Sequence, residues 1–224
     1  MSKSSDKTAL FLSWIFSISF CIGVLLICTD PLFAWPTSLN LIPIADTIPS
    51  GGANLGFATT VTYPSSGSDT ENLVETEFGI GGQFEFGFDP VVGAGASVLV
   101  NGKYRFHDES RFTPAIAIGM QNVATDTSSM PFITARKTLS FARVHFGTIV
   151  TGGTFRLMLG IDKHFGRQFT IQSDYMSGSG NWATLGFVAG APTGWSLNAA
   201  WLIGNSDSSG SGYTIDLEWG GGLW

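Results

Sequence analysis

From residue 54 onward, charged side chains keep to one parity of short alternating segments. Leu55, Phe57, Val61 and Tyr63 alternate with Asn54, Gly56, Ala58, Thr60 and Thr62. Val74, Phe78 and Ile80 alternate with Glu75 and Glu77, and Phe84, Phe86 and Phe88 with Glu85 and Asp89. Val98, Val100, Tyr104 and Phe106 alternate with Asn101, Lys103 and Arg105. Successive side chains of a strand point to opposite faces, so each segment is a strand with one apolar and one polar face. No window beyond Gly51 sustains the 3.6-residue period of an amphipathic helix. The chain is therefore expected to be all-β.

Further segments centre on residues 116–120, 142–146, 155–161, 169–175, 185–187, 195–203 and 213–219, which makes eleven in all. An up-and-down antiparallel barrel with both termini at one rim needs an even number. One strand is therefore split or missed, residues 39–44 being a candidate, and about 10 to 12 strands are expected. Closure of such a barrel would hide every strand edge. Residues 64–72, 122–138 and 204–212 read as long polar connections, and 81–82, 107–111 and 151–153 as short ones, with long and short alternating up to residue 153.

Alternation alone does not say which face points outward, because a soluble barrel around a greasy pocket shows the same pattern inverted. Composition decides in favour of a transmembrane β-barrel. Only 12% of residues are charged and 44% are hydrophobic, with mean hydropathy +0.24. Soluble domains carry roughly 25% charge. The apolar parity is then lipid-facing. The lumen-lining candidates are Glu75, Glu77, Glu85, Asp89, Lys103, Arg105, Arg143, His145, Arg156, Asp174, Asp216 and Glu218, and Asp162 shares their parity. Tyr63, Tyr104, Tyr175, Trp182, Trp195, Trp201, Tyr213 and Trp219 are placed to form interfacial girdles.

Residues 10–28, LFLSWIFSISFCIGVLLIC, form an uncharged apolar run behind Lys3 and Lys7, the layout of an export signal. At this length the run also suits an uncleaved anchor. The chain divides into 1–34 (signal peptide or anchor), 35–51 (N-terminal segment) and 52–224 (barrel), with Trp35 the expected mature start. Both cysteines, Cys21 and Cys28, fall in the leader, so a chain cut after Ala34 has no disulfide. Beyond Ala34 there are 15 acidic and 9 basic residues, a balance that repels nucleic-acid phosphates.

Little points to catalysis. His107, His145 and His164 are the only histidines and form no HExxH or other metal-binding spacing. The glycine-rich GFDPVVGAGAS and TGGTF lack the lysine and following helix of a phosphate loop. No cofactor, metal or catalytic residue is expected. The alternatives are a rim-type surface enzyme acting on lipid or protein through His145 or His164, and a secreted soluble barrel that binds an apolar ligand.

Residues 38–57, SLNLIPIADTIPSGGANLGF, with the following ETEFGIGGQFEFGFD and NGKYRF, resemble the N-terminal half of a family of outer-membrane barrels that includes exopolysaccharide-locus barrels. The resemblance implies an outer-membrane location and a part in the envelope or in polysaccharide export. It carries no catalytic residue with it. The C-terminal Tyr213, Ile215, Leu217, Trp219 and Trp224 resemble the final aromatic strand of outer-membrane proteins, although Trp224 falls on the opposite parity and Gly220, Gly221 and Gly222 are expected to interrupt the strand. The implied partners are outer-membrane lipids and the barrel-assembly machinery, with the solute left open. At 10 to 12 strands a narrow channel or a structural barrel is expected, not a wide pore.

Overall fold

The computed structural model describes residues 38–92, 98–123 and 128–222. The leader and Trp224 lie outside these residues. Twelve strands follow one another: β1 (Gly52–Tyr63), β2 (Asp69–Ile80), β3 (Phe84–Pro90), β4 (Val98–His107), β5 (Ala115–Val123), β6 (Met130–Thr138), β7 (Arg143–Thr151), β8 (Thr154–Phe165), β9 (Phe169–Met176), β10 (Trp182–Gly190), β11 (Trp195–Gly204) and β12 (Ser211–Gly222). Each is antiparallel to its sequence neighbours, and β1 pairs with β12 to close the barrel. The first and last strands meet at Gly52↔Gly222, which marks the near rim, and at Tyr63↔Ser211 on the far rim.

The twelfth strand is β6, inside the stretch 122–138 that reads as one long connection. Its alternation is hidden because both faces are apolar at one end. Ile133 points outward, while Phe132 and Met130 face inward and pack on apolar residues inside the barrel. Adding β6 moves the turn at 152–153 to the far rim beside the longer loops, so the long–short alternation does not hold there. That turn is a two-residue hairpin between Thr151 and Thr154, and both its glycines have positive φ, 54° and 74°, as a type I′ turn requires.

The outward parity is apolar around the circumference: Leu55, Phe88, Ile118, Phe146, Leu159 and Leu217 are all exposed. The inward parity holds Ala58, Lys103, Thr134, His145, Asp174 and Asp216, all buried. Such a wall meets hydrocarbon, not water. Trp201 pairs with Tyr213 towards the far rim and Trp195 with Trp219 towards the near rim. Trp195 and Trp201 are six residues apart, about 20 Å along the strand. Trp182 does not join either belt, because it falls on the inward parity of β10, lines the lumen and donates its indole N–H to the Ser209 carbonyl at 3.3 Å. The expected break at Gly220–222 is absent as well. β12 pairs without interruption through Asn54↔Gly220, Ala53↔Gly221 and Gly52↔Gly222, with the Trp219 ring lying over Gly221.

Residues 39–44 are not a wall strand. They lie inside the barrel, where Leu39, Ile42 and Ile44 form an apolar core with Phe132, Ile149 and Met158.

Candidate functional site

The lumen divides between an inner segment, residues 38–50, and the space it leaves. The segment turns back on itself through a bridge between Ser38 and Pro43 and then runs to the near rim, where β1 begins. Its apolar side chains cannot face a water-filled pore without loss of burial, and they settle on the patch offered by β6, β7 and β8. The wall makes room for it. A Cβ on Gly160 would strike Leu39 and Ile42, and one on Gly79 would strike the backbone carbonyls of Ile48 and Pro49.

Inside a barrel, backbone groups that belong to no ladder need side-chain partners. Asp174 accepts from the backbone N–H of Leu41 (2.8 Å) and Ile42 (3.2 Å). Asn40 donates to Thr184 Oγ1 at 2.7 Å and accepts from Gln172 Nε2 at 2.8 Å. Glu85 accepts from the Ile48 N–H at 2.9 Å while ion-pairing with Lys103 at 3.2 Å.

Asp46 connects the segment to a cationic belt near the near rim. It pairs with Arg136 and with Arg143 (3.1 Å). Arg143 continues to Asp162 at 2.9 Å. Asp162 also receives His145 Nε2 at 2.6 Å and His164 Nε2 at 3.3 Å, and the other ring nitrogen of His164 bonds Thr170 Oγ1 at 2.7 Å. Outside the membrane-spanning strands, the 108–114 turn adds Glu109, which binds Arg136 at 3.1 Å and the Thr138 N–H at 2.7 Å. Burial opposes the charge on Glu109. The hydrogen bonds from Thr138 and the nearby Arg136 and Lys137 outweigh that effect and hold its carboxyl below the ordinary range.

Towards the far rim the segment leaves a cavity of about 410 Å³, floored by Leu39, Asn40 and Leu41. Its walls carry Glu71, Glu75, Glu77, Glu85, Asp89 and Asp216, against the single cation Lys103 among the described lining residues. Charge is thus unevenly spread along the lumen, with guanidinium and imidazole groups clustered around Asp46 and Asp162 near the near rim, carboxylates lining the cavity, and Arg156 at the far-rim end of β8.

The twelve lumen candidates separate into these neighbourhoods. Glu75, Glu77, Glu85, Asp89, Lys103 and Asp216 line the cavity. Glu218 stands beside Asp216 and Glu75. Arg143 and His145 join the belt and Asp174 lies under the inner segment. Arg156 lies against Gly178. Arg105 stays at the near rim, bound to Asp108 (2.9 Å) and to the Gly82 carbonyl (2.9 Å). Asp46 and Arg136 escape a reading by parity. Asp46 precedes the first strand, where no alternation assigns a face, and Arg136 sits on the strand whose alternation is hidden.

A closed twelve-strand antiparallel barrel with an apolar exterior and a charged lumen defines a transmembrane β-barrel. No protein-family model matches this chain, and no curated protein matches its sequence. Among solved structures it is similar to the KdgM porin, with TM-score 0.56 and 11% identity over 74% of this chain and 98% of that one. It is also similar to the KdgM porin in complex with disordered oligogalacturonate, with TM-score 0.54 and 10% identity over the same shares. At these identities the likeness is one of fold.

Proposed function

We propose that this protein is a narrow outer-membrane channel whose bore is restricted by its own residues 38–50 and which favours small cationic or neutral solutes over anions. The carrying observation is the far-rim cavity, where six carboxylates face one ammonium. A low-dielectric wall focuses such a field and raises the local concentration of cations. Oligogalacturonate, the polyanion in one structurally similar complex, is the class of solute this cavity would repel. The resemblance of residues 38–57 to exopolysaccharide-locus barrels supports a place in the envelope, and a part in polysaccharide export follows only for an uncharged or cationic glycan. Much of that stretch packs the lumen or starts the barrel, which accounts for the resemblance by shared architecture as readily as by shared cargo. The chain would reach its bilayer through the barrel-assembly machinery.

An enzymatic reading through His145 or His164 has less support. His145 is buried against Asp162, and His164 has one ring nitrogen on Asp162 and the other on Thr170, so both imidazoles serve the belt that anchors Asp46. The test is the reversal potential in planar bilayers under a KCl gradient. A cation-selective potential supports the proposal. An anion-selective one, or silence from both the full chain and a variant lacking residues 38–48, overturns it.

A further inference from the structure

The closure seam brings three carboxylates together. Gly56 of β1 is paired on one side with Glu75 of β2 and on the other with Glu218 of β12, and the next inward residue, Ala58, is paired with Asp216. Because Gly56 has no side chain, the acids from both neighbouring strands lean over β1. One oxygen from each of Glu75, Asp216 and Glu218 lies within 4.8 Å of the other two. A Cβ on Gly56 would stand 3.1 Å from Glu75 Oε2 and 3.3 Å from Asp216 Oδ1, so the glycine forms the floor on which these oxygens converge.

A second observation points to a ligand. Asp216 is only 6% exposed, and its Oδ1 is buried with no hydrogen-bond partner outside this cluster among the described residues. A buried carboxylate oxygen is ordinarily paired or bound to a metal. Here its neighbours are the other carboxyl groups of the cluster, and the cavity's ammonium, Lys103, is 3.2 Å from Glu85.

We propose that Glu75, Asp216 and Glu218 bind one hard divalent cation of the calcium class. All three donors are oxygens, the set such ions prefer. Glu75 and Asp216 also line the cavity, which gives an ion and its water a route in. Because the donors come from β2 and β12 across β1, the bound ion staples the barrel at the junction of its first and last strands. It also lowers the negative charge of the cavity. The site rests on this geometry and does not require the protein to conduct.

Calcium titration of the refolded barrel in detergent, by calorimetry and by thermal melting with and without chelator, tests it. One ion per barrel and a melting temperature raised by calcium are expected. Asp216→Asn and Glu75→Gln should each weaken binding about tenfold or more, while Glu71→Gln, at the same cavity but outside the cluster, retains it. Removing one carboxylate should stabilise the chelated barrel and forfeit the calcium response, so the order of melting temperatures reverses between the two conditions. No stoichiometric uptake by the wild-type barrel, or equal uptake by wild type and both cluster variants, overturns the proposal. If a variant does not refold, terbium luminescence on the wild-type chain takes its place: sensitised emission that saturates at one ion and is displaced by calcium supports the site, and its absence overturns it.

Discussion

Asp46 ties the inner segment to two guanidinium groups of the wall, those of Arg136 and Arg143. Asp46→Asn preserves shape and removes the charge, which leaves both cations under-compensated. Undocking of the segment should become easier by about 1–3 kcal/mol, seen as longer or more frequent high-conductance states in single-channel records. Glu109 gives a second handle, on pH. Its folded carboxyl titrates below the ordinary range. Its stabilising contribution is therefore complete above the unfolded value and disappears as pH falls through the folded one. Glu109→Gln should lower the melting temperature at neutral pH, and the gap from wild type should close on acidification towards pH 3. A gap that widens would contradict the sign.

At the scale of the strand, the outward face is apolar across its middle, charge appearing there only near the near rim at Lys137 and Lys163, while the other strand charges keep to the inward face. Phe86 on β3 stacks on Phe78 at 5.2 Å, and Leu159 on β8 is exposed on the outer wall. Phe86→Arg or Leu159→Arg costs roughly 2–4 kcal/mol at mid-membrane and should abolish the heat-modifiable band on SDS gels, whereas Glu77→Gln should retain it. The inner segment obeys soluble-protein rules instead. Ile42 is 1% exposed in the lumenal core, and Ile42→Ala should weaken docking by about 2 kcal/mol or more, roughly 30-fold in the docked ratio. Because the twelve-strand ladder does not depend on that contact, the barrel's melting temperature should change far less than its conductance.

For the molecule as a whole, closure and occlusion are separable. Closure comes from pairing of β1 with β12 along all of both strands, which involves no residue before Gly52. Deleting residues 38–48 should therefore leave a folded, heat-modifiable barrel. It should exceed the full chain in conductance, since the lumenal core and the Asp46 pairs are removed from the bore. Equal conductance in planar bilayers would mean that the inner segment does not restrict the path.

The sequence by itself determined the class of fold and, in the charged strands whose alternation it displays, which face carries the charge. Both follow from period-2 geometry, a local property that Leu55 to Tyr63 or Phe84 to Asp89 display without reference to any other part of the chain. It also placed Glu75, Asp174 and Asp216 on the polar parity. It did not reveal β6, because the face of β6 that would have been polar is apolar where Phe132 and Met130 receive Leu39, Ile42 and Ile44. For the same reason residues 39–44 resembled a strand: they are apolar because they are buried, and burial inside a closed wall leaves no periodicity. Only the tertiary structure decided which polar residues meet. Whether Asp174 binds backbone N–H groups, Asp46 binds arginines, or Asp216 faces Glu75 depends on strands and segments brought together by barrel closure, and partners that far apart in sequence leave no mark on local spacing.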